Sequence, residues 1–292
     1  RSRGAITFDR SEPIASGAWQ ATVDEDGLHE LAADGDVARV SVDLRHRAPR
    51  PLDQSQIETN AIAAKRAAIA KDGNRLDGKG TIIADIDSPL FLHHPAFFHA
   101  DGGAFAWVDV NNDKKLTPGK DGVDLDGSGT IEPGEVLHAY RSQAISRYTR
   151  GVIDEHDDFK PELDYLYLDT NGNGERDHGP KGFNEATPAY GEPLFVFDDA
   201  NHDGEMQLTE RVLQLKTSKI KIVESQEATY TRGKSGSAGL LAYDHEATPE
   251  LAAAMGHATG VAGILVGGVP GISKWIGLAP EADLIVNDST SQ

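Results

Sequence analysis

Apolar and polar positions follow regular periods at both ends of this chain and lose them in the middle. Val40, Val42 and Leu44 alternate with Arg39, Ser41, Asp43 and Arg45, the period of two of a half-buried strand. Ahead of them, Trp19–Val23 reads as a short strand and Gly27–Ala33 as one or two helical turns. Residues 1–47 therefore predict the end of a small α+β unit. Ala48-Pro-Arg-Pro51 resists helix and marks an exposed joint, followed by an alanine-rich helix over Ile57–Lys71. Gly78–Asp87 is an apolar strand ending on a carboxylate. Lys219–Val223 and Ala282–Val286 read as further strands, and Glu250–Val266 as a helix rich in small residues. Between Asp101 and Leu215 the pattern breaks into acidic, glycine-rich segments, with Val136–Arg147 read as a helix leaving one of them. This order predicts an α/β parallel-sheet domain over residues 48–100 and 216–292. A module over residues 101–215 is spliced into one of its loops, which closure entropy tolerates because it rises slowly with length.

Composition narrows the function classes. The 47 acidic residues outnumber the 28 basic ones, for a formal charge of -19. Such a balance argues against a nucleic-acid partner, since phosphate binding needs a basic face. The acid is mixed with Asn and Gly in short units rather than massed in a tail. The chain has no Cys, which removes disulfides and thiolate metal sites. No stretch approaches the roughly 20 apolar residues of a membrane span. It opens on Arg1-Ser-Arg3 without a signal peptide, so truncation at the N-terminus is expected.

Three segments carry candidate chemistry. Ala84-Asp-Ile-Asp87-Ser88, with His94-Pro95 after it, is similar to the catalytic-Asp motif of the subtilisin-like serine proteases, with Pro89 where that family has Gly. Gly256-His257-Ala-Thr259-Gly-Val261-Ala262-Gly263 resembles the family's catalytic-His motif, usually H-G-T-H-V-A-G. Ala258 stands there for a Gly and Gly260 for the second His. Gly277-Leu-Ala-Pro280 and Ala282–Val286 fit the turn and strand that follow. Leu31–Val40 resembles the last helix-to-strand passage of the family's propeptide, the inhibitor I9 type, so residues 1–47 are expected to be a ferredoxin-like propeptide tail. The resemblance implies a polypeptide substrate, the chain's own propeptide as a partner, and peptide-bond hydrolysis by an Asp/His/Ser triad. Asp87 would orient the imidazole and His257 would act as general base. The family's G-T-S-M segment and oxyanion-hole Asn come after the His and have no match here. Ser235 and Ser237 precede His257 and form no nucleophile elbow, so a flexible loop is expected there. This chain alone is expected to be inactive.

The middle region holds twelve-residue loops of the D-x-[DN]-x-[DN]-G type, whose oxygen donors suit Ca²⁺. Asp124, Asp126, Ser128, Thr130 and Glu135 fill one loop, and Asp199, Asn201, Asp203, Glu205 and Glu210 a second. Asp169, Asn171, Asn173 and Glu175 begin a third that has Pro180 at position twelve. Asp109, Asn111, Asp113 and Lys115 begin a fourth that has Lys120 there, so these two are expected to borrow ligands from neighbours such as Asp121. They resemble the bare calcium loops of dockerin or thrombospondin type 3 repeats more than paired EF-hands, an irregular insert ordered by cations. His138, His156, His178 and His202 lack metal-site spacing and read as surface residues. Two functions follow as expectations: part of a secreted, extracellular calcium-dependent serine endopeptidase precursor, or a calcium-binding scaffold without catalysis.

Overall fold

The structure, a computed structural model, describes residues 6–8, 21–37, 40, 60, 61, 63, 64, 76–140, 159–243 and 249–288. The chain divides into two compact units, Arg1–Arg50 and Pro51–Gln292. In the first, β1 (Ile6–Phe8) pairs antiparallel with β2 (Ala21–Val23), and α1 (Glu25–Ala33) follows. Asp24 caps α1 by accepting from the Gly27 amide at 2.8 Å, and Glu25 and Asp26 suit the positive end of the helix dipole. The alternating segment after Val40, the proline joint and most of the predicted helix over 57–71 lie outside the described residues.

The second unit has mixed α/β content with parallel and antiparallel pairing. Its strands are β3 (Ile82–Asp87), β4 (Ala104–Phe105), β5 (Leu137–Tyr140), β6 (Tyr165–Leu168), β7 (Leu194–Asp198), β8 (Arg211–Leu215), β9 (Ile220–Glu224), β10 (Thr229–Thr231) and β11 (Asp283–Asp288). One sheet runs in the order β10-β9-β11-β3, with β11 parallel to both β9 and β3. The helix α2 (Pro249–Val266) crosses between β10 and β11. Its Ala258, Ala262 and Val266, four residues apart on one stripe, are buried in a core with Leu284, Val286 and the half-buried Ile83. Small side chains on that stripe let the helix lie close to the sheet. The buried Lys219 ammonium donates to the carbonyls of Val266 and Gly268, capping the end of α2.

The region expected to be irregular is built on a five-stranded antiparallel sheet in the order β4-β8-β7-β6-β5. Its central strands β6 and β7 are buried on both faces, in strict alternation. Tyr165, Tyr167, Leu194 and Val196 point into the core shared with the parallel sheet. Leu166, Leu168, Phe195 and Phe197 point into a second core with Trp107, Leu116 and Val123. Double burial is why Tyr165-Leu-Tyr-Leu168 and Leu194-Phe-Val-Phe197 are continuous apolar runs rather than alternating ones. Leu137–Tyr140, inside the segment read as an exiting helix, is a strand paired with β6, and residues 141–147 lie outside the described residues. Among the described residues no helix is long and apolar enough to cross a membrane.

Candidate functional site

Asp87 closes β3 at the C-terminal edge of the parallel sheet, opposite Asp288 on β11, where open α/β sheets place ligands. His257 lies on α2, 170 residues further along the chain, and its Nδ1 is 2.8 Å from Asp87 Oδ1. A carboxylate oxygen accepts, so Nδ1 carries the proton and donates it, leaving the Nε2 lone pair as the basic site. The same Oδ1 accepts from the Ser88 amide at 2.7 Å and the Ser88 hydroxyl at 3.3 Å. Burial pushes the Asp87 carboxyl up, but the Ser88 amide and the His257 hydrogen bond and charge outweigh it, and the carboxyl ends below its ordinary range. On the same face of the strand, Asp85 moves the other way, pushed up by burial and then by the charge of Asp87.

Two buried hydrogen bonds fix the turn after Asp87. Thr259, two residues beyond His257, accepts from the Phe91 amide at 2.9 Å, tying the turn to the helix that bears the imidazole. The Tyr243 hydroxyl donates to Asp288 at 3.2 Å and also meets the Leu90 amide. The His257 side chain is 71% exposed against 12% for Asp87. An oriented, proton-accepting imidazole open to solvent on a carboxylate anchor can activate a hydroxyl brought to Nε2. Ser235 and Ser237 sit at an exposed 3₁₀ turn, Gly236–Ala238, and neither hydrogen-bonds His257.

The four acidic loops share one backbone. Position one is Asp109, Asp124, Asp169 or Asp199. In each loop its Oδ2 accepts from the amide of position six, that of Lys114, Gly129, Gly174 or Gly204, at 2.7–2.8 Å. The amide of position five bonds Oδ1 of position three, Asn111, Asp126, Asn171 or Asn201, at 2.9–3.0 Å. The left-handed conformation recurs at position four and at position six, where Lys114 (φ 68) does what glycine does in the other three.

Each loop is also closed by a buried carboxylate. In the first, Asp121 accepts from Val110 and Thr117, positions two and nine, at 2.8 and 2.6 Å. In the second, Glu135 accepts from Leu125 and Glu132 at 2.8 and 3.3 Å. In the third, Glu192 accepts from Thr170 and Asp177 at 2.7 and 3.0 Å. The fourth, which joins β7 to β8, differs in one bond. Glu210 Oε2 accepts from Gln207 at 2.9 Å. The Ala200 amide turns instead to the Asp198 carbonyl, leaving Glu210 Oε1 buried with no hydrogen-bond partner.

Two closing groups lie outside the twelve-residue frame. Lys120 and Pro180 hold position twelve in the first and third loops, but Asp121 and Glu192 do the closing. Glu192 reaches the third loop because the residue before β7 faces the last residue of β6, as the Leu168 amide bonding the Pro193 carbonyl shows. Carboxylate oxygens of Asp109, Asp113 and Asp121, and of Asp124, Asp126 and Glu135, lie within 4.8 Å of one another, two clusters able to hold a metal ion. The third loop has Asn at positions three and five. The fourth keeps Asp199, Asp203 and Glu210 as the first keeps its three, yet among the described residues no such close triple forms in either. The orphaned Glu210 oxygen is a lone pair that a cation would satisfy, so the donor set of the fourth loop also fits a hard divalent ion. Thr130, Glu175, Glu205 and Lys115 hold position seven, where such loops use a backbone carbonyl.

His178, read as a surface residue, is half-buried and stacks on His93 with ring centroids 4.4 Å apart. His138 is half-buried against Tyr167, His202 is exposed, and His156 lies outside the described residues. In comparisons with known proteins, no family model, no curated protein and no solved structure matches this chain.

Proposed function

We propose that this chain is the Asp- and His-bearing part of a calcium-dependent, subtilisin-like serine endopeptidase precursor that acts outside the cell. The observation that carries the reading is the 2.8 Å bond between Asp87 Oδ1 and His257 Nδ1, from two motifs 170 residues apart. It is supported by the setting: a carboxylate at the end of a parallel strand, an imidazole on the helix packed over that strand, and a sheet order β9-β11-β3 built by a crossover through α2. Asp87 fixes the tautomer and ring plane of His257 and stabilises the imidazolium. His257 Nε2 takes the proton of a serine hydroxyl that is not among the residues of this chain. Calcium bound in the loops of residues 109–210 neutralises their clustered carboxylates and orders that region wherever the ion is plentiful.

The test is covalent labelling of the calcium-loaded parent precursor by a fluorophosphonate, with His257→Ala alongside. Labelling of the parent and its loss in the variant are expected, together with loss of hydrolysis of a denatured protein substrate. A second reading, a calcium-binding scaffold without catalysis, rests on the congruence of the four loops, which does not depend on a nucleophile. A folded, calcium-loaded precursor that neither labels nor hydrolyses would leave that reading in place of the protease.

A further inference from the structure

The loops of Asp109–Asp121 and Asp199–Glu210 touch one another through four contacts, two of them joining equal positions of the loops. The Leu116 amide, position eight of the first loop, donates to the carbonyl of Met206, position eight of the other, at 2.9 Å. Lys115 and Gln207 flank that bond as an antiparallel bridge. The Lys115 ammonium pairs with Glu205 at 2.7 Å, position seven to position seven. Trp107, just ahead of the first loop, donates its indole N–H to the Gln207 carbonyl at 3.1 Å. Below the bridge, Leu116 and Met206 pack in the same core as Trp107. Positions seven and nine are where each loop turns from its acidic half to its closing carboxylate. A cation that fixes one loop therefore fixes the strand on which the other closes.

We propose that these two loops form a single coupled unit for divalent cations. Filling the Asp199–Glu210 loop through the free oxygen of Glu210 raises the affinity of the Asp109–Asp121 loop, and the reverse. The proposal rests on the calcium reading above and adds to it a defined pair among the four loops. The physical basis is shared ordering. The first ion meets the cost of stiffening the Leu116–Met206 bridge, and the second ion finds that bridge already in place. Linkage requires the coupling to be reciprocal, so each site must change the other by the same factor. The Glu210 oxygen marks the more responsive member: its buried lone pair has no partner among the described residues, whereas both Asp121 oxygens already accept backbone amides.

The amides of Lys114 and Gly204, each bonded to the first Asp of its own loop at 2.8 Å, report the two sites separately. The experiment is a titration of the chelator-stripped full chain with Ca²⁺ alone, following these two resonances in ¹H–¹⁵N spectra. The Val286 amide in the parallel sheet serves as the folding control. In wild type, both are expected to move over one calcium range. Glu210→Gln should weaken the Gly204 response at least tenfold and the Lys114 response about fivefold, the lower end of ordinary coupling. Asp109→Asn should weaken the Gly204 response by the same cross factor. If Glu210→Gln loses the folding control, Asp203→Asn, at an exposed loop position, asks the same question with the same two outcomes. A Lys114 response that is unchanged while Gly204 weakens overturns the coupling and leaves the calcium reading standing. No shift of either amide by about 10 mM Ca²⁺, beyond the range of the weakest extracellular calcium modules, overturns both.

Discussion

The Asp87–His257 pair and the four acidic loops both depend on carboxylates held by backbone amides, yet the chain assembles them in opposite ways. The pair spans 170 residues and exists only because β3 and α2 pack against one core. Each loop instead writes most of its geometry into a dozen consecutive residues, with Asp at position one gathering the amides that follow it. The pair is open to water on its His257 side, where screening leaves an ion pair little weight in holding a fold. The loops sit over a buried apolar second core whose Trp107, Leu116 and Val123 all lie in or beside loop segments. Chemistry built on long-range contacts leans on a scaffold made elsewhere, whereas chemistry built on local sequence becomes part of the scaffold.

Cation removal is the largest break in that comparison. One site held at a hundredfold excess over its Kd stabilises the folded state by about 2.7 kcal/mol. Stripping calcium from several sites should therefore cost several times that, through repelling carboxylates beneath Leu116 and Val123. Hydrogen exchange with and without chelator is the measurement. Amides of the loop region, such as Leu116 and Val123, should lose protection first, while Leu284 and Val286 of the parallel sheet keep theirs. Simultaneous loss in both regions would mean that the core shared by the two sheets makes them one cooperative unit.

A middle-sized effect separates local from borrowed parts of a loop. Glu192 is buried and accepts from the Thr170 amide, the Thr170 hydroxyl and the Asp177 amide. Glu192→Gln puts an N–H against at least one of these donors and should cost about 2–3 kcal/mol, the scale of a lost hydrogen bond to a buried charge. Glu175→Ala, in the same loop but exposed, should stay within about 0.5 kcal/mol. Denaturant midpoints of the two variants check this. Equal effects would show that the third loop does not depend on its distant carboxylate.

The borrowed carboxylates also mark where the sequence stops being readable. Spacing alone exposes positions one, three and five of every loop, because those ligands follow the backbone turn by turn. It does not expose Glu192, which reaches its loop through the pairing of β6 with β7, 22 residues on from Thr170. The parallel strands and α2 are legible from period and from strand-ending residues such as Asp87. β6 and β7 are not read from alternation because both their faces are buried, although their short apolar runs are a usable signal. β5 misleads for a related reason: Val136–Arg147 has helix-compatible composition, and pairing with β6 overrides it. The Asp87–His257 contact follows from motif order, but Thr259 and Tyr243 as supports of the turn between them follow only from the packed structure.

The smallest expected effect is the most telling for function. Asp87→Asn should change stability at pH 7 by less than about 0.5 kcal/mol, because the His257 partner is 71% exposed and water screens the pair. Its pH dependence has a defined sign. The Asp87 carboxyl is held below its ordinary range by Ser88 and His257 in spite of burial. Its contribution is therefore fully present above the ordinary carboxylate pKa and is lost as pH falls through the lowered folded value. Wild type and variant should differ slightly at pH 7 and converge in acid, as read from denaturant midpoints at both ends of that window. In a companion Asp87→Ala the Nδ1 proton of His257 should lose its fixed acceptor, since Asn would keep a carbonyl oxygen where the Ser88 amide and Nδ1 both donate. The loss is visible in ¹⁵N spectra of the imidazole as a change in tautomer balance. A large stability loss on Asp87→Asn would make the pair a structural ion pair. Little change in stability with a scrambled tautomer would mean that the bond holds a proton in place rather than the fold, which is what a general base requires.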